Sequence, residues 1–105
     1  MNKTGELTAS IVLCTYNGER YLRQQLDSLL AQSRLPEQIV VADDGSTDGT
    51  WEILQTFTEK ARGLGITVDA QRNPDNLGYV RNFETTLQRA GTDLIFACDQ
   101  DDVWN

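Results

Sequence analysis

Histidine is absent from the 105 residues. That excludes Ser-His-Asp and Cys-His catalysis and removes the commonest zinc ligand sets. Cysteine occurs only as Cys14 and Cys98, each inside an apolar run (Ile11-Val12-Leu13-Cys14 and Leu94-Ile95-Phe96-Ala97-Cys98). Such a setting reads as two small buried hydrophobes in a reducing cytoplasm, with a disulfide between them the lesser reading. Basic residues are scarce, nine against sixteen acidic ones, for a net charge of −7 and a pI near 4.3. The basic face that nucleic-acid binding needs is therefore missing. A chain this acidic would take up a polyphosphate together with a metal cation. No apolar run approaches the ~20 residues of a membrane span. The opening Met1-Asn2-Lys3-Thr4-Gly5-Glu6-Leu7 lacks the apolar core of a signal peptide. No G-x-G-x-x-G follows the first apolar run, which disfavours a dinucleotide oxidoreductase. Repeats and low-complexity stretches are likewise lacking.

What the chain does have is alternation. With 39% hydrophobic and 24% charged residues it has the composition of one small globular domain. Ala9 to Thr15 is a continuous apolar strand. A helix follows, with Asn17 placed to cap it, Glu19 in its first turn and Leu22, Leu26, Leu29 and Leu30 on one face. Leu35-Pro36 breaks the helical pattern. Gln38 to Asp43 is a second strand. Asp48 can cap a second helix, whose inward residues are Ile53, Leu54, Phe57 and Ala61 and which Gly63 and Gly65 end. Ile66 to Ala70 is a weaker third strand and Gln71 to Gly78 a polar loop. Val80, Phe83, Leu87 and Ala90 predict a third helical face, stopped by Gly91, and Leu94 to Cys98 a fourth strand. The expected fold is α/β, a Rossmann-like three-layer α/β/α sandwich with a mostly parallel sheet.

In such sheets ligands sit beyond the carboxyl ends of the strands. Those ends read Thr15-Tyr16-Asn17, Asp43-Asp44-Gly45-Ser46 and Asp99-Gln100-Asp101-Asp102. Five of the sixteen acids thus fall on one edge, and so many like charges repel unless a cation offsets them. Carboxylates one residue apart, as in Asp99-Gln100-Asp101, can offer hard oxygen ligands to Mg²⁺ or Mn²⁺. The competing reading is a solvated acidic turn. In the second segment an Asp can accept from a base or ribose, and Gly45 permits close backbone approach. Asp44, Ser46, Asp48 and Gly49 also imitate the start of an EF-hand loop, but the twelfth position is Gln55, which supplies no bidentate carboxylate. Tyr16 could stack on a base. Asn76-Leu77-Gly78 reads as a tight turn, and Arg81 lies one turn into the third helix, where it could meet a base or phosphate. Trp51 and Trp104 read as packing residues.

Thr15-Tyr16-Asn17, Val40-Val41-Ala42-Asp43-Asp44-Gly45-Ser46-Thr47-Asp48, Asn76-Leu77-Gly78 and Asp99-Gln100-Asp101-Asp102-Val103-Trp104, in that order and spacing, resemble the donor half of a family 2 glycosyltransferase of the GT-A fold. The resemblance runs from about Ala9 to Asn105. It implies transfer of a sugar from a nucleotide diphosphate sugar to a glycan or lipid-linked acceptor, with inversion, in polysaccharide or cell-surface glycan synthesis. It implies that Thr15 and Tyr16 flank the nucleobase, that Asp44 bonds it with Asp43 in support, and that Asp99 faces the ribose. Asn17, Glu19, Asn76, Gly78, Arg81 and Gln100 complete the implied nucleotide-sugar site. Asp101 would be the main ligand of Mn²⁺ or Mg²⁺, with Asp102 behind it. The run Asp-Gln-Asp-Asp-Val-Trp is similar to that of members assigned to rhamnose transfer. The sequence stops where this family continues into its acceptor half, so no catalytic base is assigned to any residue here. The expectation is a nucleotide-binding part that transfers no sugar alone and self-associates through an open sheet edge. In the whole protein it would sit in the cytoplasm, peripheral to the inner face of the membrane.

Two alternatives belong to other classes. A phosphoryl-accepting receiver domain would need an acidic pair after its first strand, a phospho-acceptor Asp after its third and a Lys at a later strand end. The first strand ends in Thr-Tyr-Asn, and the lysines are only Lys3 and Lys60. A non-catalytic module that keeps the nucleotide fold is the other.

Overall fold

The computed structural model describes residues 8–32, 34–74, 76–92 and 94–99. Seven elements alternate as expected: β1 (Ala9–Thr15), α1 (Glu19–Leu30), β2 (Gln38–Asp43), α2 (Thr50–Gly63), β3 (Thr67–Arg72), α3 (Tyr79–Leu87) and β4 (Leu94–Asp99). The strands lie in the order β3-β2-β1-β4, and every pair is parallel. β1 and β2 are buried nearly end to end, which is why they read as unbroken apolar runs rather than as an alternation.

Two faces of the sheet are covered. Ile11 and Leu13 of β1, Ile39 and Val41 of β2 and Val68 of β3 point to one side. There they pack with Leu22, Leu26 and Leu29 of α1 and Leu54, Phe57 and Ala61 of α2 in a single apolar core. The other face, carrying Val12, Cys14, Val40 and Ala42, receives α3. Two helices on one face and one on the other follow from the handedness rule. β1 to β2 to β3 steps one way across the sheet and β3 to β4 steps back, so right-handed crossovers must change face. The reversal puts the topological switch point between β1 and β4.

Three expectations need correction. β3 begins at Thr67 and runs to Arg72, so the loop starts at Asn73. The strand continues because its register with β2 continues, to Asp43↔Arg72, although Asp69, Gln71 and Arg72 hide it from an apolar scan. Asn17 does not cap α1. Gly18 holds the cap position, and Asn17 sits in the left-handed region at φ 48°, which asparagine tolerates. The third helix also packs by a different face, since Asn82 and Thr86 meet the sheet while Val80 is 66% exposed and Leu87 is exposed. Asn82 Nδ2 donates to the Ala42 carbonyl at 3.2 Å, and the Cys14 thiol lies 3.7 Å from the Thr86 hydroxyl. The Cys14 side chain is buried, and that of Cys98, its partner in the lesser disulfide reading, lies outside the described residues.

Candidate functional site at the carboxyl edge of the sheet

The strand register brings the predicted segments together. Cys14 pairs with Ala42 on one side and with Asp99 on the other, and Thr15 pairs with Asp43. Asp43, Asp44 and Asp99 therefore end neighbouring strands at one edge, on either side of β1. Gln100, Asp101, Asp102 and Trp104 lie outside the described residues, and so does the side chain of Asp99.

The acids at the end of β2 are buried, and the fold supplies their partners. Asp43 is fully buried. Its Oδ1 accepts from the Thr15 hydroxyl at 2.7 Å and from the Ser46 hydroxyl at 2.5 Å, and its Oδ2 accepts the Ser46 N–H at 2.9 Å. Arg72 Nε stands 3.7 Å from the same Oδ2. The Arg72 guanidinium also donates to the Ser46 carbonyl at 2.6 Å and lies 5.9 Å from the centre of the Trp51 ring. Asp43 thus locks the first two strand ends to the 44–47 turn. A buried carboxylate persists only when several donors replace its lost hydration.

Asp44 faces the other way. Its Oδ1 accepts from Asn73 Nδ2 at 2.9 Å and the Leu77 N–H at 2.8 Å, and its Oδ2 accepts the Gly78 N–H at 2.9 Å. Asn76 Nδ2 reaches the Asp44 carbonyl at 3.3 Å, and Asn76 Oδ1 shares the Gly78 N–H at 3.0 Å. The segment expected to be a tight turn is thereby tied to β2. Gly78 sits at φ 86°, a conformation that costs glycine least.

The turn after β1 is fixed to the one after β2. Asn17 N–H donates to the Ser46 hydroxyl at 2.8 Å, and Asn17 Oδ1 accepts the Thr47 N–H at 2.8 Å. Gly18 N–H donates to the Thr50 hydroxyl at 2.9 Å. Asp48 was expected to cap α2, but Gly49 holds that position, and Asp48 instead joins the starts of two helices. It accepts the Thr50 hydroxyl and N–H on Oδ1 and the Glu19 N–H on Oδ2, the last at 3.3 Å. Partial desolvation pushes the Asp48 carboxyl up, but these bonds together outweigh it and hold its pKa below the ordinary value.

What remains open at this edge is narrow. Tyr16 is 47% exposed, and Glu19 and Arg81 are exposed. Arg81 lines a cavity of about 470 Å³ with Leu77, Gly78, Val80 and Glu84. A second opening of about 580 Å³ lies over Ser46, Asp48, Arg72 and Asn73. Among the described residues no three Cys, Asp or Glu side chains are placed to hold a metal ion. The buried carboxylates of Asp43 and Asp44, filled by donors from the chain, do not form such a set. Sequence reasoning missed Ser46, Thr50, Arg72, Asn73 and Asn82. Their signal was weak, because each is an ordinary polar residue whose importance comes from a partner 26 to 40 positions away in the chain.

A parallel sheet ordered β3-β2-β1-β4, with polar residues gathered at its switch point, is the architecture by which open α/β domains hold ligands. Residues 10–105 match the family described as glycosyl transferase family 2, and the chain belongs to it. An uncharacterized protein of Mycobacterium tuberculosis is 34% identical over 96 residues, 90% of this chain and 27% of that protein. An uncharacterized glycosyltransferase of Nostoc sp. is 33% identical over 95 residues, 90% of this chain and 28% of that one. Staphylococcus aureus TarS, solved in complex with UDP-GlcNAc, superposes with a TM-score of 0.77 at 30% identity, covering 91% of this chain and 27% of that one. The mannosyltransferase PcManGT of Pyrobaculum calidifontis, solved with GDP-Man and Mn²⁺, shares the fold with a TM-score of 0.83 at 23% identity, over 96% and 29% of the two chains. The chain spans about a quarter to a third of the length of the curated relatives it matches. Family membership displaces the receiver alternative.

Proposed function

We propose that this chain is the part of an inverting glycosyltransferase that binds a nucleotide diphosphate sugar. The observation that carries the reading is the convergence of Tyr16, the Asp43-Asp44 pair and Asp99 at the switch point of a family 2 chain. In this reading Thr15 and Asp43 build the wall of the base pocket, and Tyr16 offers its exposed ring to the base. Asp99 meets the ribose, while Asn17, Glu19, Asn76, Gly78, Arg81 and Gln100 line the rest. Asp101 and Asp102 hold Mn²⁺ or Mg²⁺. When bound, the ion supplies Lewis-acid stabilisation of the charge that builds on the departing diphosphate. The bound nucleotide sugars of TarS and PcManGT support this ligand class, and the Mn²⁺ of PcManGT supports the metal.

The whole protein would transfer a hexosyl or rhamnosyl unit to a glycan or lipid-linked acceptor in surface polysaccharide synthesis, on the cytoplasmic side of the membrane. These residues alone bind donor and metal without turnover. The test is a thermal-shift series with UDP-, GDP- and dTDP-sugars, with and without Mn²⁺. Binding to the folded state at 100 times the dissociation constant stabilises it by about 2.7 kcal/mol. A metal-dependent rise with one nucleotide class is expected. No rise with any of them would favour a module that keeps the fold without the ligand.

A further inference from the structure

We propose that Asp44 is a positioning residue that couples nucleobase binding to the placement of residues 76–78. The inference rests on the nucleotide reading above and goes beyond it. Asp44 is 3% exposed, so no ligand reaches its carboxylate in the arrangement described. A carboxylate offers about four acceptor sites. Three are taken, by Asn73 Nδ2 and the Leu77 N–H on Oδ1 and by the Gly78 N–H on Oδ2. The fourth belongs to Oδ2, beneath residues 77 and 78.

The covering segment is thin and held at one point. Asn76, Leu77 and Gly78 are all exposed. Among the described residues, every hydrogen bond that ties them to anything outside their own segment and α3 ends on Asp44. A base whose edge offers an N–H can reach Asp44 only by taking the place of the Leu77 or Gly78 N–H, so one charge-assisted bond is exchanged for another at small net cost. The segment then moves, and with it the start of α3. Arg81 stands one turn further on, beside the cavity that Leu77 and Gly78 line. Occupancy of the base pocket thereby sets where Arg81 points.

The test is amide hydrogen exchange on the 105-residue chain, read at Leu77 and Gly78 with Leu26 as the core reference. Saturating UDP or GDP with Mn²⁺ is expected to speed exchange at both amides by about tenfold or more, the scale of one lost hydrogen bond to a charged group. UDP methylated at uracil N3, or GDP methylated at guanine N1, lacks the donated proton and is expected to leave both rates unchanged. A nucleotide that binds without speeding either amide would overturn the coupling, as would methylated analogues that speed them equally. D44N keeps the side-chain volume but loses an acceptor, and it is expected to speed both amides with no nucleotide present. Unchanged rates in D44N would overturn Asp44 as the anchor whatever binds. Failure of UDP, GDP and dTDP alike to bind would overturn the nucleotide reading and this coupling with it, while the D44N arm would still report on the anchor alone.

Discussion

The two flanks of the sheet are finished differently. On the β3 side α2 covers the sheet, Arg72 bridges Trp51 and Asp43, and Arg89 pairs with Asp69 at 3.0 Å while also donating to the Val41 carbonyl. On the β4 side Leu94, Ile95 and Phe96 are exposed at 37%, 42% and 45%, on both faces of the strand. The contrast separates two uses of residue chemistry. Where the chain packs, buried acids are consumed by its own donors and hold strand ends and turns together. Where it does not, apolar side chains stay at the surface, as large unshared patches do at interaction sites. The acids legible as a binding edge therefore divide. Asp43 and Asp44 spend their oxygens on donors of the chain itself, and the acids after Asp99 lie outside the described residues.

The largest effect should come from the packed flank. Leu22→Ala empties a fully buried position between α1 and the sheet and is expected to lower stability by about 2–5 kcal/mol in urea unfolding. Asp43→Ala comes next. It leaves the Thr15 hydroxyl and the Ser46 N–H without their acceptor, for a loss of about 3 kcal/mol at roughly 1–3 per orphaned group, whereas the same change at a solvated acid would cost little.

How the sequence shows itself differs along the same line. β1 and β2 were legible residue for residue because burial on both faces leaves an unbroken apolar run. β4 was legible to within one residue for the same compositional reason, although Leu94, Ile95 and Phe96 are exposed. β3 was not, since an edge strand carries Asp69, Gln71 and Arg72 and is recruited by its register with β2. The apolar positions of α3 pointed to the wrong face, because Asn82 and Thr86 satisfy polar groups of α3 and the sheet that no leucine could. The motifs were expected to share one edge of the sheet, and the register brings the ends of β1, β2 and β4 together there. The motifs could not show that Asp44 spends its oxygens on Leu77 and Gly78, which depends on tertiary distance rather than on spacing.

Smaller effects sharpen the comparison. Asp48→Ala unlinks the starts of α1 and α2 and is expected to cost about 1 kcal/mol, the usual worth of a lost cap. Because the folded pKa of Asp48 lies below its ordinary 3.8, its contribution is complete above that value and is lost as pH falls through the folded pKa. Acid titration of stability should therefore show a shallower low-pH limb in Asp48→Ala than in the parent. The smallest stability change should come from the open flank. Ile95→Lys is expected to cost under about 1 kcal/mol, since the side chain is already exposed. The same variant should reduce self-association in sedimentation, because a charge on an open strand opposes edge pairing. Equal association in both proteins would remove β4 from that role.

The central claim is that a nucleotide and its metal bind at the carboxyl edge between β1, β2 and β4. Paramagnetic broadening by Mn²⁺ tests it most directly, recorded on amide resonances in the presence of UDP or GDP. Signals of Tyr16, Leu77 and Asp99 should broaden, while those of Gln38 and Thr67 at the opposite edge persist. Broadening centred on Gln38 and Thr67, or spread evenly over the chain, would contradict the account.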